Sequence, residues 1–83
     1  MSLEIFYNSA AFKHGITTLD IENAISLFLF DSALAGEEGK YLLIGFDTSG
    51  NLLEIMYNVI NDNSINVFHA MKCRKEYIKL LKR

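Results

Sequence analysis

The chain lacks proline and tryptophan, and Cys73 is its only cysteine. Without a second cysteine it cannot form an internal disulfide, so a disulfide-based scaffold is excluded. Without proline, element boundaries have to be read from glycine, from Asn/Asp clusters and from hydrophobic periodicity. The 83 residues are enough for a single domain over 1–83. Its core must be thin, because a chain of this size buries only about 60% of its unfolded surface.

Long apolar runs and targeting signals are also missing from the sequence. No run approaches the roughly 20 apolar residues that a membrane-spanning helix needs, and the first residues carry no secretion-signal pattern. Hydrophobic residues make up 51% of the chain and charged residues 22%, which is typical of a folded, water-soluble domain. The sequence therefore predicts a cytoplasmic protein that does not interact with membranes.

Positive charge is scarce over most of the chain and concentrated at one end. Residues 1–69 carry a net charge of −7, whereas residues 70–83 carry +5, for a total of −2. Such a split indicates either a local site for a polyanion or attraction to an oppositely charged partner.

Hydrophobic periodicity and turn signals predict an α+β fold in the order β-α-α-β-β-β-α, with a mainly antiparallel sheet and helices packed on one face. A first short helix is expected to end at Gly15. Thr17 and Asp20 form a capping box for a second helix, "TLDIENAISLF", which precedes an acidic loop, "DSALAGEEGK". The predicted strands are "LEIFYN", "KYLLIGFD", "NLLEIMYNVI" and "SINVFHA". The last helix is expected to begin near Ala70 or Met71.

Arg74 is the unusual residue of this predicted last helix. A helical projection of residues 70–83 collects most of the basic side chains in one sector, but Arg74 falls in the opposite, apolar sector. A guanidinium is costly to bury without a partner. Two interpretations follow: Arg74 pairs with Glu54 or Asp20 and closes the edge of the core, or it reaches a rim where a phosphate binds.

The two histidines each lie at an element boundary near a cation. Strand alternation in "INVFHA" predicts that His69 shares a face with Ile65 and Val67 and lies close to Arg74. His14 follows Lys13 at the end of the first short helix. A single histidine at such a position usually has a structural role and forms one hydrogen bond, but two such histidines favour an anion-binding site. The spacing of histidines, cysteine and acids does not suit zinc, so neither a metal nor another cofactor is expected.

Three segments together resemble a known family: "KHGIT" followed by an acidic amphipathic helix, "YLLIGFDTSGNLLEIMYNVI", and "INVFHAMKCRKEY". They are similar to the BrnT-type toxins, of the RelE-like superfamily, of bacterial type II toxin–antitoxin pairs, or to uncharacterised relatives of these toxins. The similarity extends from about Tyr7 to Leu81. It implies a RelE-like fold, metal-independent RNA cleavage by attack of the ribose 2′-hydroxyl, and a cognate antitoxin protein that neutralises the toxin.

The resemblance also implies roles for individual residues. Lys13 and His14 match the Lys-His pair of the family. The implied catalytic set is His69, Arg74, His14 and Lys13, and RNA binding is expected from Lys72, Lys75, Tyr77 and Lys79. The sequence departs from the family at His69-Ala70-Met71, where such toxins read Ser-Ala-Arg, so that Met71 replaces an arginine.

A different class of function remains open on the same fold. The chain would then be a non-catalytic interaction domain that binds a protein partner or forms a homodimer, and His69 and Arg74 would be structural. The positive mean hydropathy of +0.17 favours this interpretation, because exposed apolar patches commonly mark interfaces. A nucleic-acid binder without catalytic activity is a third, weaker alternative.

Overall fold

The structure is a computed structural model that describes residues 3–82, and it confirms the α+β class. The predicted basic segment runs to Arg83, which lies outside the described residues. The elements, in chain order, are β1 (Glu4–Tyr7), a first 3₁₀ helix (Ser9–Phe12), α1 (Thr18–Ser26), β2 (Phe28–Ala33), β3 (Lys40–Phe46), β4 (Leu52–Asn61), β5 (Ser64–Lys72), α2 (Lys75–Ile78) and a final 3₁₀ helix (Lys79–Leu81). None of the helices described within residues 3–82 is long and apolar enough to span a membrane.

The strands form one five-stranded sheet in the order β1-β5-β4-β3-β2. β1 runs parallel to β5 at one edge, and the other neighbouring pairs are antiparallel, so the predicted mainly antiparallel sheet is confirmed. The pairing of β1 with β5 ends at Tyr7 and Val67. Beyond this point the first 3₁₀ helix lies beside β5, which brings the following loop close to the second half of that strand.

The start of α1 is capped as the sequence predicts. The Thr17 side chain accepts a hydrogen bond from the Asp20 backbone N–H at 3.2 Å. Asp20 also accepts hydrogen bonds from the backbone N–H and the hydroxyl of Thr48, at 2.9 and 2.6 Å. These bonds tie the first turn of α1 to the turn between β3 and β4. The first short helix ends at Phe12, earlier than predicted, but Gly15 has the predicted left-handed conformation, with a φ of 81°.

A strand replaces part of the predicted acidic loop. α1 ends at Ser26, and Phe28–Ala33 forms β2, which pairs with the outer edge of β3. The apolar run "LFLF" is compatible with the end of a helix or with a strand, since a short run carries no clear period. The segment forms a strand because it supplies hydrogen-bond partners to the backbone N–H and C=O groups at the outer edge of β3, which would otherwise be unpaired.

The last helix begins later and is shorter than predicted. Residues 70–72 continue β5 and pair with Leu53–Ile55 of β4, and α2 begins only at Lys75. Arg74 is therefore the residue that precedes α2, and the helical projection over residues 70–83 does not apply to it. Residues 70–72 extend the strand and do not begin the helix, because a short, charged helix buries too little surface to be stable by itself.

The prediction that the helices pack on one face of the sheet is wrong. α1 lies over the face that carries Leu43, Ile55 and Val67, which form the main core with Ile21 of the helix. After β5 the chain crosses to the opposite face: Arg74 bonds to Glu54 there, and the final 3₁₀ helix contacts β2. Leu42, Ile44 and Glu54 are buried on this second face. The second face holds the only buried carboxylate described among residues 3–82.

Candidate functional site

A β-bulge in β5 decides which way His69 faces. Met56 of β4 pairs with His69, whereas the next residue, Tyr57, pairs with Val67, so Phe68 is an extra residue in β5. An extra residue reverses the alternation of side chains beyond it. His69 therefore lies on the second face with Glu54, while Ala70 joins Val67 in the main core. The prediction that His69 continues the row of Val67 is wrong, because it assumed unbroken alternation.

Glu54 is the centre of a hydrogen-bonded cluster on the second face, and its side chain is 0% exposed. Its carboxylate accepts hydrogen bonds from the Arg74 backbone N–H at 2.9 Å, from Arg74 Nε at 3.1 Å and from Arg74 Nη2 at 2.6 Å. His69 Nε2 lies 2.8 Å from Glu54 Oε2. Burial alone would raise the pKa of Glu54, but the hydrogen bonds from Arg74 and His69 outweigh it and hold that pKa below its ordinary value.

Arg74 is both paired and accessible. Of the two acids considered as partners, Glu54 binds the guanidinium, whereas Asp20 bonds to Thr17 and Thr48 instead. The Arg74 side chain is still 44% exposed, and its guanidinium carbon lies 5.3 Å from the centre of the Tyr77 ring. The hydrogen bonds with Glu54 raise the pKa of Arg74 further above its ordinary value. The Arg74 side chain thus closes the core edge and remains partly exposed to solvent.

His14 joins this cluster from the other end of the chain. The loop after the first 3₁₀ helix places its ring against that of His69, with the ring centres 5.7 Å apart and the ring planes at 77°. His14 is exposed, and the His69 side chain is 21% exposed. Two imidazoles, one guanidinium and one buried carboxylate therefore meet beside the end of β5, which we call the His–Arg cluster (His14, Glu54, His69 and Arg74).

The other predicted site residues lie at different distances from the His–Arg cluster. Lys13 is exposed and directly precedes His14, while Lys75 and Lys79 are exposed in the helical segment that follows Arg74. Tyr77 is half-buried beside the Arg74 guanidinium. Lys72 pairs with Leu53 and so faces the α1 side of the sheet, away from the cluster. The structure thus brings His14, His69 and Arg74 together but directs Lys72 elsewhere.

The sequence indicated Glu54 only as a possible partner for Arg74, and the contact between Glu54 and His69 was not predicted. One signal was available, because Glu54 is a lone charge within the apolar strand "LLEIMY". A buried carboxylate in such a strand requires cationic or N–H partners. Their identity was hidden, since it depends on the bulge at Phe68 and on the path of the chain after β5. Among residues 3–82, no group of three or more His, Cys, Asp or Glu side chains is arranged to hold a metal ion.

Comparison with known proteins identifies a solved structure with this fold. No protein-family model matches the chain, and no curated protein matches it. The crystal structure of the Brucella abortus ribonuclease toxin BrnT superimposes with a TM-score of 0.64 at 13% sequence identity, covering 89% of this chain and 100% of that one. The BrnT-like fold expected from the sequence is therefore confirmed as a fold. The finer RelE-like assignment and the residue roles stay predictions.

Proposed function

We propose that the protein is a toxin-like endoribonuclease and that the His–Arg cluster is its active site. The observation that carries this proposal is the ring contact between His14 and His69, 5.7 Å between centres, beside the partly exposed side chain of Arg74. Cleavage of RNA by its own 2′-hydroxyl needs a proton acceptor, a proton donor and a cation for the phosphorane charge. The cluster contains side chains suited to each of these roles, and the ribonuclease activity of the similarly folded toxin supports the same reading.

In the proposed reaction one imidazole removes the proton of the 2′-hydroxyl, and the 2′-oxygen forms a bond to phosphorus. The bond between phosphorus and the 5′-oxygen breaks, and the other imidazole donates a proton to this leaving oxygen. The products are a 2′,3′-cyclic phosphate and a 5′-hydroxyl, so no water and no metal ion is consumed or required. His14 and His69 form the acid–base pair, and the contact between their rings brings both within reach of one phosphate.

Arg74 and Lys13 stabilise the negative charge that develops on the phosphate. Met71 pairs with Glu54 and so belongs to the same face, at the position where the resembling toxins have an arginine. Arg74, anchored on Glu54, supplies the cation that Met71 lacks. Lys75 and Lys79 extend the positive surface along the RNA backbone, and Tyr77 offers a ring for base stacking. Lys72, on the opposite face, is expected to contribute less to RNA binding than these lysines.

The test of this proposal is cleavage of total RNA by the purified protein in excess EDTA, comparing the wild type with His14→Ala. Loss of one member of an acid–base pair is expected to slow cleavage about 100-fold. His14 suits this test better than Arg74 because it is exposed, so its removal leaves the buried core intact. Glu38→Ala, which removes an exposed charged side chain in the loop between β2 and β3, is the control and should cleave like the wild type. Absence of cleavage by the wild type, or equal rates for wild type and His14→Ala, contradicts the proposal.

A second candidate function, protein binding, is favoured by an apolar groove on the α1 face. The groove has a volume of about 360 Å³ and is lined by Leu3, Ile25, Phe28, Asp31, Leu43, Tyr57, Val59, Asn61, Asp62, Ser64 and Ile65. Phe28 and Val59 are 52% and 51% exposed. Two carboxylates and no lysine or arginine line it, so it suits a partner segment that carries apolar and basic side chains, as an antitoxin could provide.

Phe28→Asp and Val59→Asp are therefore expected to abolish co-purification with a partner protein encoded beside this chain. Each substitution introduces charge into the apolar groove and should weaken binding at least 10-fold, since burying an unpaired carboxylate is costly. His14→Ala, which lies outside the groove, should retain the partner. If sedimentation instead shows a wild-type dimer that Val59→Asp converts to a monomer, the occupant is a second copy of the chain. Retention of the partner by both groove variants contradicts this use of the groove.

A further inference from the structure

Glu54 has no assigned part in the proposed cleavage reaction, although it is the most buried charged group of the site. Its side chain is 0% exposed, so it cannot reach an RNA substrate bound at the surface. A buried carboxylate would be costly unless its oxygens were fully engaged, and here donors occupy both of them. Arg74 Nε lies 3.1 Å from each oxygen, and Arg74 Nη2 lies 2.6 Å from Oε2. Glu54 is thus held in one position by the residue that leads from β5 into α2.

The donors on Glu54 determine the hydrogen position on His69. A carboxylate that accepts hydrogen bonds from a guanidinium and from a backbone N–H is ionised, and an ionised carboxylate can only accept. Since His69 Nε2 lies 2.8 Å from Glu54 Oε2, that nitrogen must carry the hydrogen and donate it. In the neutral ring the other nitrogen, Nδ1, is then the bare one. The same bond prevents the ring from turning over to offer Nε2 as the acceptor.

We propose that Glu54 is a positioning residue that holds His69 with its Nε2–H turned inward, so that Nδ1 accepts the proton of the ribose 2′-hydroxyl. This inference rests on the proposed ribonuclease function and assigns His69 as the base, leaving His14 as the acid. As the 2′-oxygen bonds to phosphorus, its proton moves to Nδ1 and His69 becomes an imidazolium. His14 gives its proton to the 5′-oxygen as the bond from phosphorus to that oxygen breaks. Glu54 stays ionised throughout and stabilises the imidazolium, as a buried carboxylate does in a catalytic triad.

Local structure explains why this arrangement depends on Glu54 in particular. The bulge at Phe68 turns His69 toward the second face, where Met56 is its partner across the strands and Glu54 lies two pairs further along, the next residue of β4 on that face. The backbone N–H of Arg74 bonds to Glu54 Oε1 at 2.9 Å, so the exit of the chain from β5 fixes the carboxylate as well. The orientation of His69 is thus set by backbone geometry that does not involve the substrate, which is the condition for a preorganised base.

The first test is nitrogen NMR of isotope-labelled histidines in the wild-type protein, which reads the protonation of each ring nitrogen directly. We expect the neutral His69 ring to be in the Nε2–H form, with a bare Nδ1. His14→Ala removes the signals of the only other histidine and so assigns those of His69. A neutral His69 in the Nδ1–H form overturns the inference. This measurement needs no RNA, so it stands even if the protein cleaves none and the proposed function fails.

The second test is the kinetics of cleavage by Glu54→Gln and Glu54→Asp. Because Glu54 does not touch RNA, Glu54→Gln is expected to lower kcat about 100-fold while KM changes little. Glu54→Asp keeps the charge and should recover part of the loss. Glu76→Gln removes a carboxylate two residues beyond Arg74 and is the matched control, with kcat unchanged. If the wild type cleaves RNA and Glu54→Gln matches it in kcat, the inference is overturned. If Glu54→Gln does not fold, the NMR result on the wild type decides.

Discussion

Arg74→Ala is expected to lower the free energy of unfolding by about 3 kcal/mol at neutral pH, far more than an exposed arginine normally would. The reason lies in Glu54, which is 0% exposed and would keep only His69 and one backbone N–H as partners. Loss of one member of a buried pair leaves the other charge uncompensated. The Arg74 side chain is 44% exposed, so its own contribution is screened by solvent. The cost therefore comes from the carboxylate that remains.

The cost of Arg74→Ala is also expected to depend on pH. In the wild type the pKa of Glu54 lies below its ordinary value, so Glu54 contributes stability above the pKa of the unfolded chain. That contribution is lost as the pH falls through the folded pKa. In Arg74→Ala the bonds that lower this pKa are mostly gone and burial raises it, so the variant becomes relatively less unstable in acid. The difference in unfolding free energy between wild type and variant should therefore begin to shrink above the ordinary carboxyl pKa, as the pH falls through the raised pKa of the variant, and it should keep shrinking down to the lowered pKa of the wild type.

Urea unfolding at neutral and acidic pH measures this effect. Lys75→Ala, the neighbouring exposed cation, is the matched control and should change stability by less than about 0.5 kcal/mol. In a Glu54→Gln background the cost of Arg74→Ala should fall sharply, because no buried charge then remains. Equal costs of Arg74→Ala in the two backgrounds would show that the ion pair does not explain the effect. Because Arg74→Ala also loses stability, the stability measurement is needed to separate a loss of RNA cleavage from a loss of folded protein.

Gly45→Ala is expected to destabilise the protein by about 3 kcal/mol or more, at the upper end of the range for overpacked cores. A Cβ added at Gly45 would overlap the backbone oxygen of Ala24 and lie 2.8 Å from its carbonyl carbon. These are backbone atoms within α1, so no side-chain rotation can relieve the clash. To make room, α1 would have to move away from β3 and expose the contacts that Ile21 and Ala24 make with the core.

Thermal unfolding of Gly45→Ala, compared with Gly39→Ala, separates packing from backbone conformation. Gly39 has a positive φ of 81° but nothing within 4 Å of an added Cβ. Its replacement should cost only about 1 kcal/mol, the strain of a left-handed residue. If the two substitutions are equally destabilising, close packing of α1 on the sheet is not what requires glycine at position 45.

Local sequence determined the features of this protein that depend on neighbours in the chain. Thr17 and Asp20 specify the start of α1, Gly15 ends the preceding turn, and residues 47–51 and 61–63 form turns between strands. Such features are readable because their hydrogen bonds join residues only a few positions apart. The α+β class follows from them, since the order of elements and the alternation within strands limit how they can pack.

Tertiary structure alone decided the geometry of the candidate site. The face of the sheet on which His69 lies depends on one extra residue in β5. The partner of Arg74, Glu54, is 20 positions away in the chain. Likewise, β2 exists because β3 has an edge to pair, which the ambiguous run "LFLF" does not reveal by itself. Pairing across strands and burial of charge are interactions between distant residues, so their outcome depends on the whole fold. Charge and residue type marked His14, His69 and Arg74 as candidates; only the assembled sheet brought them together around Glu54.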